Sequence, residues 1–137
     1  MNPRRLTCAV LVAALSLLTS TARADDTDIS FKRRGDNEKN FVKAVGTAIV
    51  KAAHHTAGKI DLLKYEYTEP KPNRKELAIK MEFHGAVTKK RYVADIVVKI
   101  DASNKDTWEV LNIDYSDNDT IKANENKIQD LIKTLNK

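Results

Sequence analysis

Apolar and polar residues follow three rhythms along this chain. Over residues 36–58 apolar positions recur every three to four residues, and Phe41, Val45, Ala48, Ile49, Ala52 and Ala53 form one stripe. That spacing predicts an amphipathic helix. Asp36 or Asn37 caps its start, Glu38 complements its positive end, and Gly58 is placed to stop it in the left-handed conformation. His54 and His55 fall in its expected last turn, where the helix dipole favours a cation. The glycine at position 46 lies mid-helix. A bare helical glycine costs about 1 kcal/mol, so close packing of the helix against another layer is its expected role.

The second rhythm is strict alternation, the mark of half-buried strands. It predicts strands over 60–68, 76–87, 91–101 and 107–116. One face would carry Leu63, Tyr65 and Tyr67, then Leu77, Ile79, Met81, Phe83, Gly85 and Val87, then Tyr92, Ala94, Ile96, Val98 and Ile100, and last Leu111, Ile113 and Tyr115. The opposite face would carry Leu62, Ala78, Val93, Val97, Trp108 and Val110 among charged residues. Residues 69–75 contain two prolines and an asparagine and read as a loop. A tight turn at Lys89-Lys90 would pair Val87 with Tyr92, Gly85 with Ala94, Phe83 with Ile96, Met81 with Val98 and Ile79 with Ile100. Pairing of Val98 with Leu111 would add the fourth strand. Asp119 is the expected cap of a terminal helix whose stripe is Ile121, Ile128, Leu131, Ile132 and Leu135.

The order helix, four strands, helix, with short connections, predicts an α+β fold. It has two layers: a four-stranded antiparallel meander, with the N-terminal and C-terminal helices packed on one face.

The third rhythm is an apolar run without charge at residues 6–18, preceded by Arg4-Arg5 and followed by Ala22-Arg23-Ala24. This is the pattern of a cleavable signal peptide over 1–24, and the run is well short of the ~20 residues a membrane span needs. The chain is therefore expected to be exported, to the periplasm or outside the cell. Residues 25–35 are polar and read as a mobile arm, leaving 36–137 as a single domain.

Export changes the composition. Cys8, the only cysteine, leaves with the leader, so the remaining domain has no disulfide, thiol nucleophile or cysteine metal ligand. The formal charge of +5 includes three leader arginines; without them 21 basic residues face 19 acidic ones, a balance of +2. Nucleic-acid binding is not implied. The basic hairpin Lys89-Lys90-Arg91 could touch an anionic surface weakly, but no stacking aromatics are interleaved with it.

Candidate chemistry is sparse. No G-x-S-x-G, phosphate loop or dinucleotide turn is present, and the three histidines have no zinc-ligand spacing, so neither cofactor nor metal is expected. In the register above His84 would lie opposite Asp95, the one pair that could orient an imidazole for acid–base work. Tyr65, Tyr67 and Tyr92 could line a pocket between helices and sheet. Trp108 with Val93, Val97 and Val110 would make an apolar patch on the open sheet face.

The leading expectation is a non-enzymatic binding module using that face, its partner a protein or a second copy of the chain. The alternatives are a small-ligand carrier using the tyrosine pocket, and a small hydrolase or metal enzyme centred on His84 and Asp95. The absence of a convergent polar cluster in the sequence weighs against catalysis.

Overall fold

The computed structural model describes residues 28–87 and 89–137. The expected leader and residues 25–27 of the expected arm lie outside the described residues. A single helical turn, Phe31–Arg33, precedes helix α1 (Glu38–Ala53). Four strands follow, β1 (Gly58–Lys71), β2 (Arg74–His84), β3 (Arg91–Asp101) and β4 (Glu109–Asp117), and then helix α2 (Glu125–Leu135). The strands form one antiparallel sheet in the order β1-β2-β3-β4, and both helices pack against one of its faces. The fold is the α+β meander that the periodicity predicts.

The core lies between helices and sheet. Phe41, Val42, Val45, Ile49, Val50 and Ala53 of α1, with Ile128 and Leu135 of α2, close over Leu77, Ile79, Met81, Phe83, Tyr92, Ala94, Ile96, Val98, Ile100 and Ile113. Burial of this kind stabilises by about 25 cal/mol per Å² of apolar surface removed from water. At Gly46 a Cβ would stand 2.5 Å from the Met81 sulfur, so the missing side chain is what lets α1 approach β2.

Three departures from the alternation have physical causes. The β2–β3 hairpin has neither glycine nor asparagine at the expected two-residue turn. Instead β2 ends at His84, and the chain closes a longer loop in which Gly85 N–H donates to Lys90 O and Lys89 N–H donates to Gly85 O. The register becomes Phe83 with Tyr92, Met81 with Ala94, Ile79 with Ile96 and Leu77 with Val98. Each β2 residue meets a partner four positions from the expected one. An even shift keeps every inward residue facing another inward residue, so the pattern fixed the face and left the register open. Gly85 and Val87 fall outside the strand.

The other two departures are irregularities in the edge strands. The β1 register slips between Leu62 and Lys64, turning Leu62 toward the core and leaving Leu63 exposed. In β4 Lys99 pairs with Asn112 but Ile100 pairs with Val110, so Leu111 is the extra residue of a bulge. Val110 is therefore 2% exposed and Leu111 42% exposed, the reverse of the expected faces.

Segment ends differ too. Helix α1 stops at Ala53, five residues before Gly58, because His54 turns to extended backbone (φ −141°) and buries its ring. Gly58 opens β1 instead, and the positive φ falls on Lys59 (48°). The expected 69–75 loop shrinks to a turn with Asn73 at φ 64°; Pro70 is accommodated because β1 is an edge strand.

Asn124, not Asp119, caps α2, and Ile121 lies before the helix. The side chain of Asn136 pairs with both backbone groups of Val110 (2.7 and 2.9 Å), and Gln129 donates to Ile113 O, so α2 is tied along β4. Within the polar stretch before α1, Phe31 is fully buried and meets Phe41 edge-on at 5.0 Å, while Ser30 and Arg33 donate to Lys137 O.

Candidate functional site: a cavity at the end of the sheet

The groups the sequence singled out are dispersed. His84 lies opposite Arg91, and Asp95 lies opposite Lys80 with an ion contact of 3.4 Å; the four-residue register shift separates the proposed His84–Asp95 pair. Trp108 is not on the open face. It packs edge-on against Tyr67 at 5.9 Å, and the Arg34 guanidinium covers its ring at 3.6 Å. Val110 is in the core. Val93 and Val97 do stand on the open face, half-buried among the ion pairs Lys80–Asp95, Arg91–Glu82 and Lys99–Asp114. Of the basic hairpin, Lys89 and Lys90 are exposed, and Arg91 is engaged by Glu82.

The three tyrosines part company as well. Tyr65 and Tyr67 meet edge-on at 6.5 Å beside Trp108. Tyr92 stacks on Phe83 (5.4 Å) and lines a different space. Burial and the neighbouring Glu38 carboxylate push the Tyr67 phenol well above its usual range.

That different space is a cavity of about 410 Å³, within the size range of small-molecule sites. Four segments border it: the end of α1 with residues 54–57, the end of β2 with its loop, the start of β3 at Tyr92, and the 119–124 connection before α2. Phe83, Tyr92 and Ala53 supply apolar wall, and His54, Asp119 and Asn124 supply polar wall. Val87 and Ile121 belong to the same lining and are 91% and 68% exposed, the most exposed large apolar side chains among the described residues.

One wall carries a buried polar cluster that the sequence did not reveal. His54 caps α1, and its ring stacks on Phe83 at 5.6 Å. Its Nε2 lies 2.8 Å from Asp117 Oδ2, and its Nδ1 lies 3.9 Å from Asp119 Oδ2. The three side chains are 7%, 6% and 8% exposed. Tyr115 O–H also donates to Asp117 Oδ2, and Asp119 N–H donates to Asp117 Oδ1. Asp119 Oδ1 accepts from Ile121 N–H, shaping the loop that forms the cavity's rim. Burial, then the bond to Asp117, then the charges of Asp117, Asp119 and Glu125 raise the Tyr115 phenol far above its usual range.

The chemistry of this cluster is that of a positioned acceptor set. A carboxylate only accepts, so Nε2 of His54 carries the proton toward Asp117, and in the neutral ring Nδ1 is left as an acceptor. Among the described residues no hydroxyl is hydrogen-bonded to Nδ1. Also among the described residues, no group of three or more His, Cys, Asp or Glu side chains is placed to hold a metal ion, and no helix is long and apolar enough to cross a membrane.

Sequence reasoning missed the cluster because residues 54 and 117 are 63 apart and only the folded sheet brings them together. Comparison with protein-family models, with curated proteins and with solved structures finds nothing that matches this chain.

Proposed function

We propose that this chain is an exported, non-enzymatic binding module that takes a small ligand into the cavity at the end of the sheet. The observation that carries the reading is the convergence of a half-open cavity of about 410 Å³ with two highly exposed apolar side chains, Val87 and Ile121, in its lining. Exposed large apolar groups that cluster around a concavity commonly mark a place where something covers them. The pocket reading takes precedence over a protein-binding open face because Arg34 already covers Trp108 and Val110 is buried. What remains of that face, Val93 and Val97 between ion pairs, is closer to a solvated surface.

The test is titration of ¹⁵N-labelled domain with a set of small aromatic and aliphatic fragments, followed by amide chemical shifts. Saturable shifts confined to residues 54–57, 83–87 and 119–124 support the reading. Shifts centred on Val93 and Val97, or none at up to several millimolar, contradict it.

A further inference from the structure

We infer that the ligand of this cavity is a primary amine carried on an apolar or aromatic body, bound through its ammonium group by His54 Nδ1 and Asp119 Oδ2. The inference rests on the cavity being a ligand site and adds the chemical class of what enters it.

His54 is 8% exposed, and its Nε2 is committed to Asp117. Its Nδ1 belongs to a residue lining the cavity and has no hydrogen-bond partner within reach among the described residues; the nearest acidic group is Asp119 Oδ2 at 3.9 Å. Asp119 lines the same cavity. With the ring's one proton on Nε2, both atoms are acceptors, and two acceptors 3.9 Å apart are not satisfied by each other. What suits them is a group offering two donors at once. An atom about 2.8 Å from each would fit a 3.9 Å separation, and an ammonium nitrogen supplies the two donors.

Charge points the same way. The side chains of Asp117 and Asp119 are both buried; among the described residues their close contacts with a basic group run only to the one imidazole, which is uncharged with its single proton on Nε2, and Lys122, which also lines the cavity, makes no ion contact with either. Taking charges out of water is expensive unless they are paired, and a cationic group in the cavity completes the pairing. The rest of the lining selects the body of the ligand. Phe83 and Tyr92, stacked at 5.4 Å and buried, back the cavity's floor, and Val87 and Ile121 stand exposed until an apolar group covers them. A free small amine and the amino end of an apolar peptide share this chemistry.

The experiment is isothermal titration of the domain with 2-phenylethylamine, with its neutral counterpart 2-phenylethanol, and with the dipeptide amide Phe-Leu-NH₂ before and after acetylation of its amino group. The expected result is at least tenfold tighter binding of the amine than of the alcohol, with the difference reduced to less than threefold in Asp119→Asn. The peptide arm identifies the source. Tighter binding of the free peptide than of the amine, abolished by acetylation, assigns peptide amino ends; the reverse order assigns small amines.

Equal binding of amine and alcohol in the unmodified domain overturns the amine assignment while leaving the cavity reading intact. Binding of neither compound, together with fragment titrations that leave the cavity amides unmoved, overturns both. Should Asp119→Asn fail to fold, the amine-to-alcohol ratio in the unmodified domain still decides the matter.

Discussion

Replacement of Asp117 by asparagine tests whether the buried cluster holds the α1 end of the domain together. The carboxylate is 6% exposed and accepts from Tyr115 O–H, His54 Nε2–H and Asp119 N–H. Asparagine keeps the shape and removes the charge. Its amide must also aim two N–H donors at one of the sites where Asp117 accepts, so at least one existing donor loses its partner or has to reorient. Hydrogen bonds to a charged group are worth about 1.5–3 kcal/mol each, and breaking a buried pair from one side costs about 3–5 kcal/mol.

Reorientation of the Tyr115 hydroxyl recovers part of this, so Asp117→Asn should cost about 2–4 kcal/mol. For a domain of this size each kcal/mol is worth roughly 4–8 °C, so the melting temperature should fall by about 10–25 °C. Urea unfolding followed by circular dichroism measures the first figure and calorimetry the second. Asp95→Asn is the control, because Asp95 is well exposed and pairs with Lys80 on the surface; it should change stability by no more than about 0.5 kcal/mol. An Asp117→Asn variant as stable as that control would refute the claim that the cluster ties α1 to β4.

Three further outcomes follow from the geometry. Val110→Asp should unfold or severely destabilise the domain while Leu111→Asp is nearly neutral, since the bulge buries the first and exposes the second; denaturation midpoints for the two variants in the opposite order would contradict the β3–β4 register. Phe31→Ala should cost about 3–5 kcal/mol, the usual figure for a fully buried ring, and a loss below about 1 kcal/mol would show that the segment before α1 does not contribute to the core. Alkaline stability should also fall. Tyr67 and Tyr115 are held neutral in the fold with raised pKa values, whereas in the unfolded chain a phenol ionises near pH 10. The stabilisation is complete below about pH 10 and is lost as pH rises above it. The slope is at most about 1.4 kcal/mol per pH unit per tyrosine, lessened by partial exposure. Urea midpoints between about pH 9 and 11 measure this, and Tyr115→Phe should make the fall shallower; an unchanged slope would count against burial of that phenol.

The sequence carried the architecture and the faces because side-chain periods of 3.6 and 2 are local properties. Leu77, Ile79, Met81 and Phe83 alternate whatever their partners, so their inward placement was readable. Which β3 residue each one meets was not, because an even slip preserves the alternation and the decision rests on the 85–90 loop. Where the parity itself breaks, at Leu62-Leu63 and Val110-Leu111, an irregular edge strand is responsible, and no residue in either stretch marks it in advance.

Misplacing Trp108 followed from the second of these. One residue of bulge moved Val110 inward, and Trp108 packs beside Tyr67 under Arg34. Gly46 was legible because a glycine in mid-helix weakens the helix unless its missing side chain lets a second layer come close, as Met81 does. The His54–Asp117–Asp119 cluster was not, since His54 looked like a helix-end cation, Asp119 like a helix cap, and Asp117 fell between the last expected strand and that cap.

The most direct measurement is an isotope-filtered NOE experiment on the domain with 2-phenylethylamine bound. Cross-peaks from the ligand ring to Phe83, Tyr92 and Val87, with the ligand methylene beside the amino group close to the His54 ring, are predicted. Cross-peaks to Val93 or Val97 on the opposite surface of the sheet, with none to the cavity side chains, would contradict it.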